Sequence, residues 1–193
     1  MVEKFCLASH GLLIGWPVDE LAAWLNANTP VGIHFVVVGD LDPQPEESTI
    51  IQSLLGAAAA GKDLVIVGHS KGAMLMFYLA DALKAQGIRV KLVASIDPTG
   101  WGSNAPGTIK WAVVLDGNAG QWLVPDNADV WLNFYQDSSP GGGVAHLAPG
   151  NATTKFSQYH LSNETHLSIP NAATTRKAIL DAIIAVAQQE TSS

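Results

Sequence analysis

The sequence predicts an α/β protein, a three-layer α/β/α sandwich built on a mostly parallel sheet. Short apolar runs rich in β-branched residues alternate with longer segments of helical periodicity, which is typical of strand–helix–strand units. Successive units of this kind run their strands in parallel and place helices on both faces of the sheet. The length of 193 residues suits one domain, which we expect to span residues 1–193.

Two strand–helix pairs are predicted in the first part of the chain. Residues 4–8 form a short apolar run, predicted as a strand, and residues 18–26 carry apolar residues at helical spacing after Pro17. Residues 33–38 are rich in apolar and β-branched residues, as in a strand covered on both faces. A helix over residues 46–60 follows, and a glycine ends it.

The second part of the chain continues the alternation. Its predicted elements are strands at 63–67, 89–96, 129–135 and, more weakly, 155–160, and helices at 71–86 and 172–189. Asp97-Pro98 stops the strand before it, because proline cannot donate to a strand ladder. The closing helix has its apolar residues on one face, as expected of a helix packed on a sheet.

A G-x-S-x-G motif, Gly68-His69-Ser70-Lys71-Gly72, lies between a predicted buried strand and a predicted helix. A sharp strand-to-helix turn of this kind strains the backbone of the middle residue and presents its hydroxyl at the edge of the sheet. The helix N-terminus behind the serine favours a developing negative charge. Ser70 is therefore predicted to be a catalytic nucleophile, and the alternative is a serine in an ordinary turn.

A serine nucleophile needs a histidine to accept its proton and a carboxylate to orient that histidine. After a strand–turn–helix motif of this type, the acid and then the histidine follow the serine along the chain. His166 lies between the last predicted strand and the closing helix, where a loop can reach Ser70, and it is predicted to be the base. His146 and His160 remain alternatives.

Two aspartates end predicted strands after the serine. Asp97 follows the strand that comes next after the nucleophile helix, and its turn is fixed by Pro98. Asp137 ends the strand after that. We predict Asp97 as the acid, with Asp137 as the alternative.

Transition-state charge needs hydrogen-bond donors. One is expected to be the backbone N–H of Lys71, the residue after the nucleophile, and the second the N–H of Gly11 or Leu12 in the loop after the first strand.

Two stretches rich in glycine and asparagine or in glycine and proline, 98–127 and 136–154, interrupt the alternation on the side of Ser70. Long loops there usually shape a binding site. Trp101, Trp122 and the earlier His10 are candidates for substrate contacts, although tryptophans also complete cores.

Composition and motifs exclude several classes of function. A formal net charge of −7 argues against non-specific binding of nucleic acid. No apolar stretch has membrane-spanning length, and no basic segment precedes an apolar one as in a secretory signal, so a cytoplasmic location is expected. The single Cys6 is expected to be a small buried hydrophobe.

No cofactor and no metal are expected. Residues 56–63 nearly spell a phosphate-binding loop, but Asp63 stands where serine or threonine should be, and the segment runs from helix to strand rather than the reverse. The histidines show no metal-ligand spacing.

The chain resembles small members of the α/β-hydrolase superfamily that lack a cap domain. Gly68-His69-Ser70-Lys71-Gly72 matches the nucleophile elbow of that family, and Ser9-His10-Gly11 resembles the oxyanion loop of lipases and esterases. Ile96-Asp97-Pro98 resembles the segment in which some lipases carry their acid. Asn133-Phe134-Tyr135-Gln136 and His166-Leu167-Ser168-Ile169 resemble segments of bacterial and phage hydrolase-like proteins. The resemblance implies a minimal fold of about six strands with an open, shallow site.

These observations predict a serine hydrolase that cleaves carboxylic esters through an acyl-serine, with a small-molecule or polymeric ester as substrate. A thioesterase or an acyltransferase on the same fold is the nearest alternative, because both begin with the same intermediate. A catalytically inactive binding or scaffold module is the alternative of another class.

Overall fold

The computed structural model describes residues 4–9, 16–30, 33, 35–38, 45–99, 122–138 and 143–189. Its strands are β1 (Lys4–Ser9), β2 (Phe35–Val38), β3 (Asp63–His69), β4 (Val90–Ile96), β5 (Trp122–Val124), β6 (Ala128–Tyr135), β7 (Ala145–Leu147) and β8 (Lys155–His160). Its helices are α1 (Trp16–Asn28), α2 (Pro45–Ala59), α3 (Lys71–Ala85) and α4 (Ala173–Gln189), with a 3-10 turn at Ile169–Asn171 before the last.

Six strands form the main sheet in the order β2-β1-β3-β4-β6-β8, and every pairing among them is parallel. The predicted sheet of about six mostly parallel strands is therefore confirmed. The strand β3 lies near the middle, with β1 on one side and β4 on the other. Because the strands are parallel, the carboxyl ends of β1, β3, β4, β6 and β8 all meet at one edge, and the loops that follow them share that edge.

The core has two halves, one on each face of the sheet. Leu64 and Ile66 of β3 pack with residues of α2 and α3, whereas Val65 and Val67 pack with residues of α1 and α4. This alternation follows from the two-residue period of a strand. Both faces of β3 are buried, which explains its uninterrupted apolar run, and the three-layer α/β/α arrangement is confirmed.

Two short strands were not predicted. Within the stretches expected to be loops, Trp122–Val124 and Ala145–Leu147 form a separate parallel pair, β5 with β7. Three residues are too few for a period-two pattern to be visible in the sequence. The weaker prediction at 155–160 is confirmed as β8, an edge strand whose residues are exposed or partly exposed.

The pair of short strands closes the face of the sheet that carries α3. Trp122 is 5% exposed, its ring centroid lies 5.2 Å from that of Phe77, and Phe77 lies 4.6 Å from Trp131. Of the two possibilities for Trp122, a substrate contact and a place in the core, the structure shows its side chain packed in the core. Cys6 is also buried in the core, as expected.

None of the helices in the described part of the chain is long and apolar enough to cross a membrane.

Candidate active site

Ser70 is the single residue between the end of β3 and the start of α3. Its φ of 60° and ψ of −124° lie outside the regions that non-glycine residues usually occupy. Its N–H donates to the carbonyl of Ile96 at 3.0 Å, and its own carbonyl accepts from the N–H groups of Ala73 and Met74. These bonds fix the strained backbone at both ends, as in a nucleophile elbow.

The close approach of helix to strand explains the glycine at position 68. A Cβ atom on Gly68 would lie 2.2 Å from the carbonyl oxygen of Gly72 and 2.8 Å from the nitrogen of Ala73. No side chain fits there, because backbone rather than a flexible side-chain end occupies the space. The turn that presents Ser70 therefore depends on Gly68.

The structure brings together the three residues predicted as nucleophile, base and acid. The Ser70 Oγ atom lies 2.9 Å from Nε2 of His166, and Nδ1 of the same ring lies 2.7 Å from Oδ2 of Asp97. The three come from the ends of β3 and β4 and from the segment after β8, which share one edge of the sheet. The Asp97 side chain is fully buried and that of His166 is 13% exposed. The arrangement can move a proton from the serine to the ring while the carboxylate holds the ring in place.

Asp97 makes further hydrogen bonds besides the one to His166. Its φ is 48°, its N–H donates to the carbonyl of Phe134 at 2.7 Å, and Nε2 of Gln136 donates to Oδ2 at 2.8 Å. Gln136 is fully buried, and its amide is itself fixed by Ser138, whose N–H donates to Oε1 while its carbonyl accepts from Nε2. The same carboxylate oxygen thus accepts from both His166 and Gln136.

The sequence predicts no role for Gln136, although the Tyr-Gln segment that contains it contributes to the family resemblance. The feature that could have indicated a role is its position, one residue after the end of β6 and beside the end of β4, which Asp97 follows. Neighbouring parallel strands bring such residues together at the sheet edge.

His69 also contacts the candidate base. Its Nε2 lies 2.7 Å from the backbone carbonyl oxygen of His166, and the two rings are 4.6 Å apart and tilted by 37°. His69 is 2% exposed. Since a carbonyl only accepts, the Nε2 of His69 carries the proton in this contact. The His69 ring, one residue before Ser70, therefore holds the segment that carries His166 by a hydrogen bond to its main chain.

Thr99 is a second neighbour of the nucleophile that sequence reasoning missed. Its Oγ1 lies 3.0 Å from Ser70 Oγ, and its N–H donates to the Ser70 carbonyl at 3.3 Å. Thr99 is 8% exposed. The turn after Asp97 thus supplies both the candidate acid and a hydroxyl that reaches the serine.

The alternative acid and an alternative base pair with each other at the surface. Asp137 Oδ1 lies 2.7 Å from Nε2 of His160, with side-chain exposures of 63% and 46%. The His160 ring stacks on Tyr135 at 4.7 Å. His146 is exposed on β7. None of these three side chains shares a hydrogen bond with Ser70 among the described contacts.

The rim of the site is anchored by a buried amide. The Asn133 Nδ2 donates to the carbonyl of Gly143 at 2.9 Å, and a Cβ atom on that glycine would lie 2.4 Å from Cγ of Pro98. The end of the glycine-rich stretch therefore packs directly on the proline that follows Asp97.

The predicted oxyanion donors are described in part. Lys71 is the first residue of α3, so its N–H lies at the helix N-terminus beside Ser70. Gly11, Leu12 and His10 lie outside the described residues, as does Trp101. In the part of the chain that the structure describes, no group of three or more acidic, histidine or cysteine side chains is arranged to hold a metal ion.

The chain matches known proteins in its structure but not in the sequence comparisons. No family model matches the sequence, and a search of curated proteins finds no match. The structure is similar to the thioesterase RedJ of the prodiginine biosynthetic pathway in Streptomyces coelicolor, with a TM-score of 0.54 and 12% identity over 92% of this chain and 84% of that one.

Two further enzymes are also similar to this chain in structure. Human thioesterase 2 matches with a TM-score of 0.54 and 14% identity over 95% of this chain and 97% of that one. An esterase of Pyrobaculum calidifontis matches with a TM-score of 0.55 and 15% identity over 98% and 78% of the two chains. These proteins have the α/β-hydrolase fold, and this chain has it too.

Proposed function

We propose that the protein is a serine hydrolase that cleaves carboxylic esters through an acyl-serine. The observation that carries the proposal is the continuous set of hydrogen bonds from Ser70 Oγ to His166 Nε2 and from His166 Nδ1 to Asp97 Oδ2. In this proposal Ser70 is the nucleophile, His166 the general base and acid, and Asp97 the group that orients the ring.

Acylation begins when the hydroxyl proton of Ser70 passes to Nε2 of His166 as Oγ forms a bond to the ester carbonyl carbon. The carbonyl electrons move to oxygen, where the N–H of Lys71 and, from the loop after β1, the N–H of Gly11 or Leu12 stabilise the charge. When the oxyanion collapses, the bond to the alcohol oxygen breaks, and that oxygen takes the proton from His166. Asp97 stays ionised throughout and keeps Nδ1 protonated.

Deacylation repeats the same proton transfers with water. His166 accepts a proton from a water molecule as its oxygen attacks the acyl carbon, and Ser70 Oγ leaves with the proton that the ring returns. The acid is released and the serine hydroxyl is restored. The proton transfers of both half-reactions use only Ser70 and His166, which are hydrogen-bonded to each other.

A thioesterase is the second candidate, because two of the structurally similar proteins are named thioesterases. The acyl-serine is the same, and only the leaving group differs, a thiolate instead of an alkoxide. A catalytically inactive scaffold is the hypothesis that the structure favours least. A strained Ser70 and a fully buried Asp97 both cost folding free energy, and such features persist mainly where a site uses them.

The test is labelling of the purified protein with a fluorophosphonate, together with turnover of matched butyryl substrates. A p-nitrophenyl ester and an N-acetylcysteamine thioester of the same acyl group separate the two candidates. We expect labelling that Ser70→Ala abolishes, and faster turnover of the ester. Faster turnover of the thioester would assign the second candidate, and folded protein with neither labelling nor turnover would refute the hydrolase.

A further inference from the structure

The hydroxyl of Thr99 reaches the atom that would attack the substrate. Its Oγ1 lies 3.0 Å from Ser70 Oγ, and among the described contacts this is the only hydrogen bond of that hydroxyl. The backbone holds it there, because the Thr99 N–H donates to the Ser70 carbonyl and the preceding Pro98 packs against Gly143. Thr99 is almost buried, so water has little access to compete for the contact.

The direction of this hydrogen bond follows from counting protons. Nδ1 of His166 faces the carboxylate of Asp97 and carries the ring proton, so Nε2 accepts. The single proton of the Ser70 hydroxyl is therefore donated to Nε2. Ser70 has no proton left for Thr99, and the threonine must donate to Ser70 Oγ. One lone pair of Oγ accepts that bond, and the other is left for attack.

Thr99 follows β4, the strand next to β3 in the sheet, and Asp97 comes directly after the same strand. Its hydroxyl contacts the nucleophilic oxygen itself.

We propose that Thr99 is a further catalytic residue, which donates a hydrogen bond to Ser70 Oγ and stabilises the negative charge that this oxygen gains as its proton moves to His166. The proposal rests on the proposed function. A neutral hydroxyl oxygen accepts a weaker hydrogen bond than one that carries partial charge, so the interaction is stronger in the transition state than in the resting enzyme. Thr99 keeps its own proton throughout, and no bond of its side chain breaks.

The test measures the rate of serine labelling in variants of Thr99. Thr99→Val keeps the shape but removes the donor, and Thr99→Ser keeps the donor. With a fluorophosphonate we expect Thr99→Val to lower the limiting rate of labelling about tenfold, with the half-saturating concentration unchanged, while Thr99→Ser labels within about threefold of wild type. The hydrolysis of p-nitrophenyl butyrate should show the same split, a lower kcat at constant KM.

Thr154→Val is the matched control. Thr154 has the same 8% exposure, and its hydroxyl also makes a buried hydrogen bond, to the Pro125 carbonyl at 3.1 Å. We expect Thr154→Val to label at the wild-type rate. A cooperative thermal transition shows that the variant is folded when the rate is measured. If Thr99→Val does not fold, Thr99→Ala takes its place in the comparison with Thr99→Ser.

Two results would overturn the proposal. One is a valine or alanine variant that labels as fast as wild type or faster. The other is a serine variant that is as slow as the valine or alanine variant. Folded wild-type protein with neither labelling nor turnover would instead refute the hydrolase itself, so the two failures are distinguishable.

Discussion

The Nε2 of His69 lies 2.7 Å from the backbone carbonyl oxygen of His166. Two histidines 97 positions apart thus meet at the elbow, one through its ring and the other through its main chain. The contact fixes the backbone of the candidate base relative to the turn that carries Ser70. Because a displacement of about 1 Å in a catalytic group lowers rates strongly, this bond should matter for turnover.

His69→Phe tests that contact. Phenylalanine keeps an aromatic ring at this position but lacks the N–H donor. We expect kcat for p-nitrophenyl butyrate to fall about tenfold or more, with a smaller change in KM. His69→Gln places an amide N–H near the position of Nε2 and should recover much of the loss. Equal rates in the two variants would show that the hydrogen bond does not position His166.

The choice between the two acids is tested by a pair of matched variants. Asp97→Asn removes the carboxylate that Nδ1 of His166 contacts, and we expect kcat to fall by about 10³ to 10⁴. Asp137→Asn removes only an exposed partner of His160 and should leave kcat within about twofold, because exposed ion pairs contribute little. The reverse pattern would move the acid to Asp137.

Gln136→Glu should make stability depend on pH. The introduced carboxyl would lie beside the buried Asp97, and two carboxylates at hydrogen-bonding distance cannot both ionise without large cost. The folded variant therefore retains a proton that the unfolded chain releases, so its free energy of unfolding falls as pH rises.

Urea unfolding at pH 5 and pH 8 measures this effect. Relative to wild type, the midpoint of Gln136→Glu should be lower at pH 8 than at pH 5, whereas the neutral Gln136→Met should show the same deficit at both. A deficit of Gln136→Glu that does not grow with pH would argue that position 136 does not face the Asp97 carboxylate in solution.

Gly68→Ala should be severely destabilising. Its methyl group would meet the Gly72 carbonyl at 2.2 Å, and the helix would have to move away from the strand. We expect a loss of more than about 3 kcal/mol in the free energy of unfolding, together with loss of labelling at Ser70.

Gly56→Ala is the control for that variant. Gly56 lies inside α2, and a Cβ atom there would meet nothing within 4 Å. Alanine should stabilise the helix by about 0.5–1 kcal/mol, because it loses less backbone entropy on folding. Urea titrations of both variants give the comparison, and a Gly68→Ala protein as stable as wild type would contradict the packing described for the elbow.

The sequence by itself determined the strand and helix order, the parallel three-layer fold and the candidate elbow at Ser70. These follow from local patterns, since periodicity and a strand-to-helix motif are readable within a few residues. It also ranked Asp97 and His166 first, because both fall at strand ends or loops in the expected chain order. The short strands β5 and β7 were missed, because three residues carry no period.

Only the tertiary structure decided which side chains surround the nucleophile. The bonds of Thr99 to Ser70, Gln136 to Asp97 and His69 to His166 join positions 29, 39 and 97 residues apart. Each is made because parallel strands end at one edge of the sheet, and no local pattern encodes which residues meet there. The same reason explains Trp122, whose burial against Phe77 depends on where β5 crosses α3 rather than on its own sequence neighbours.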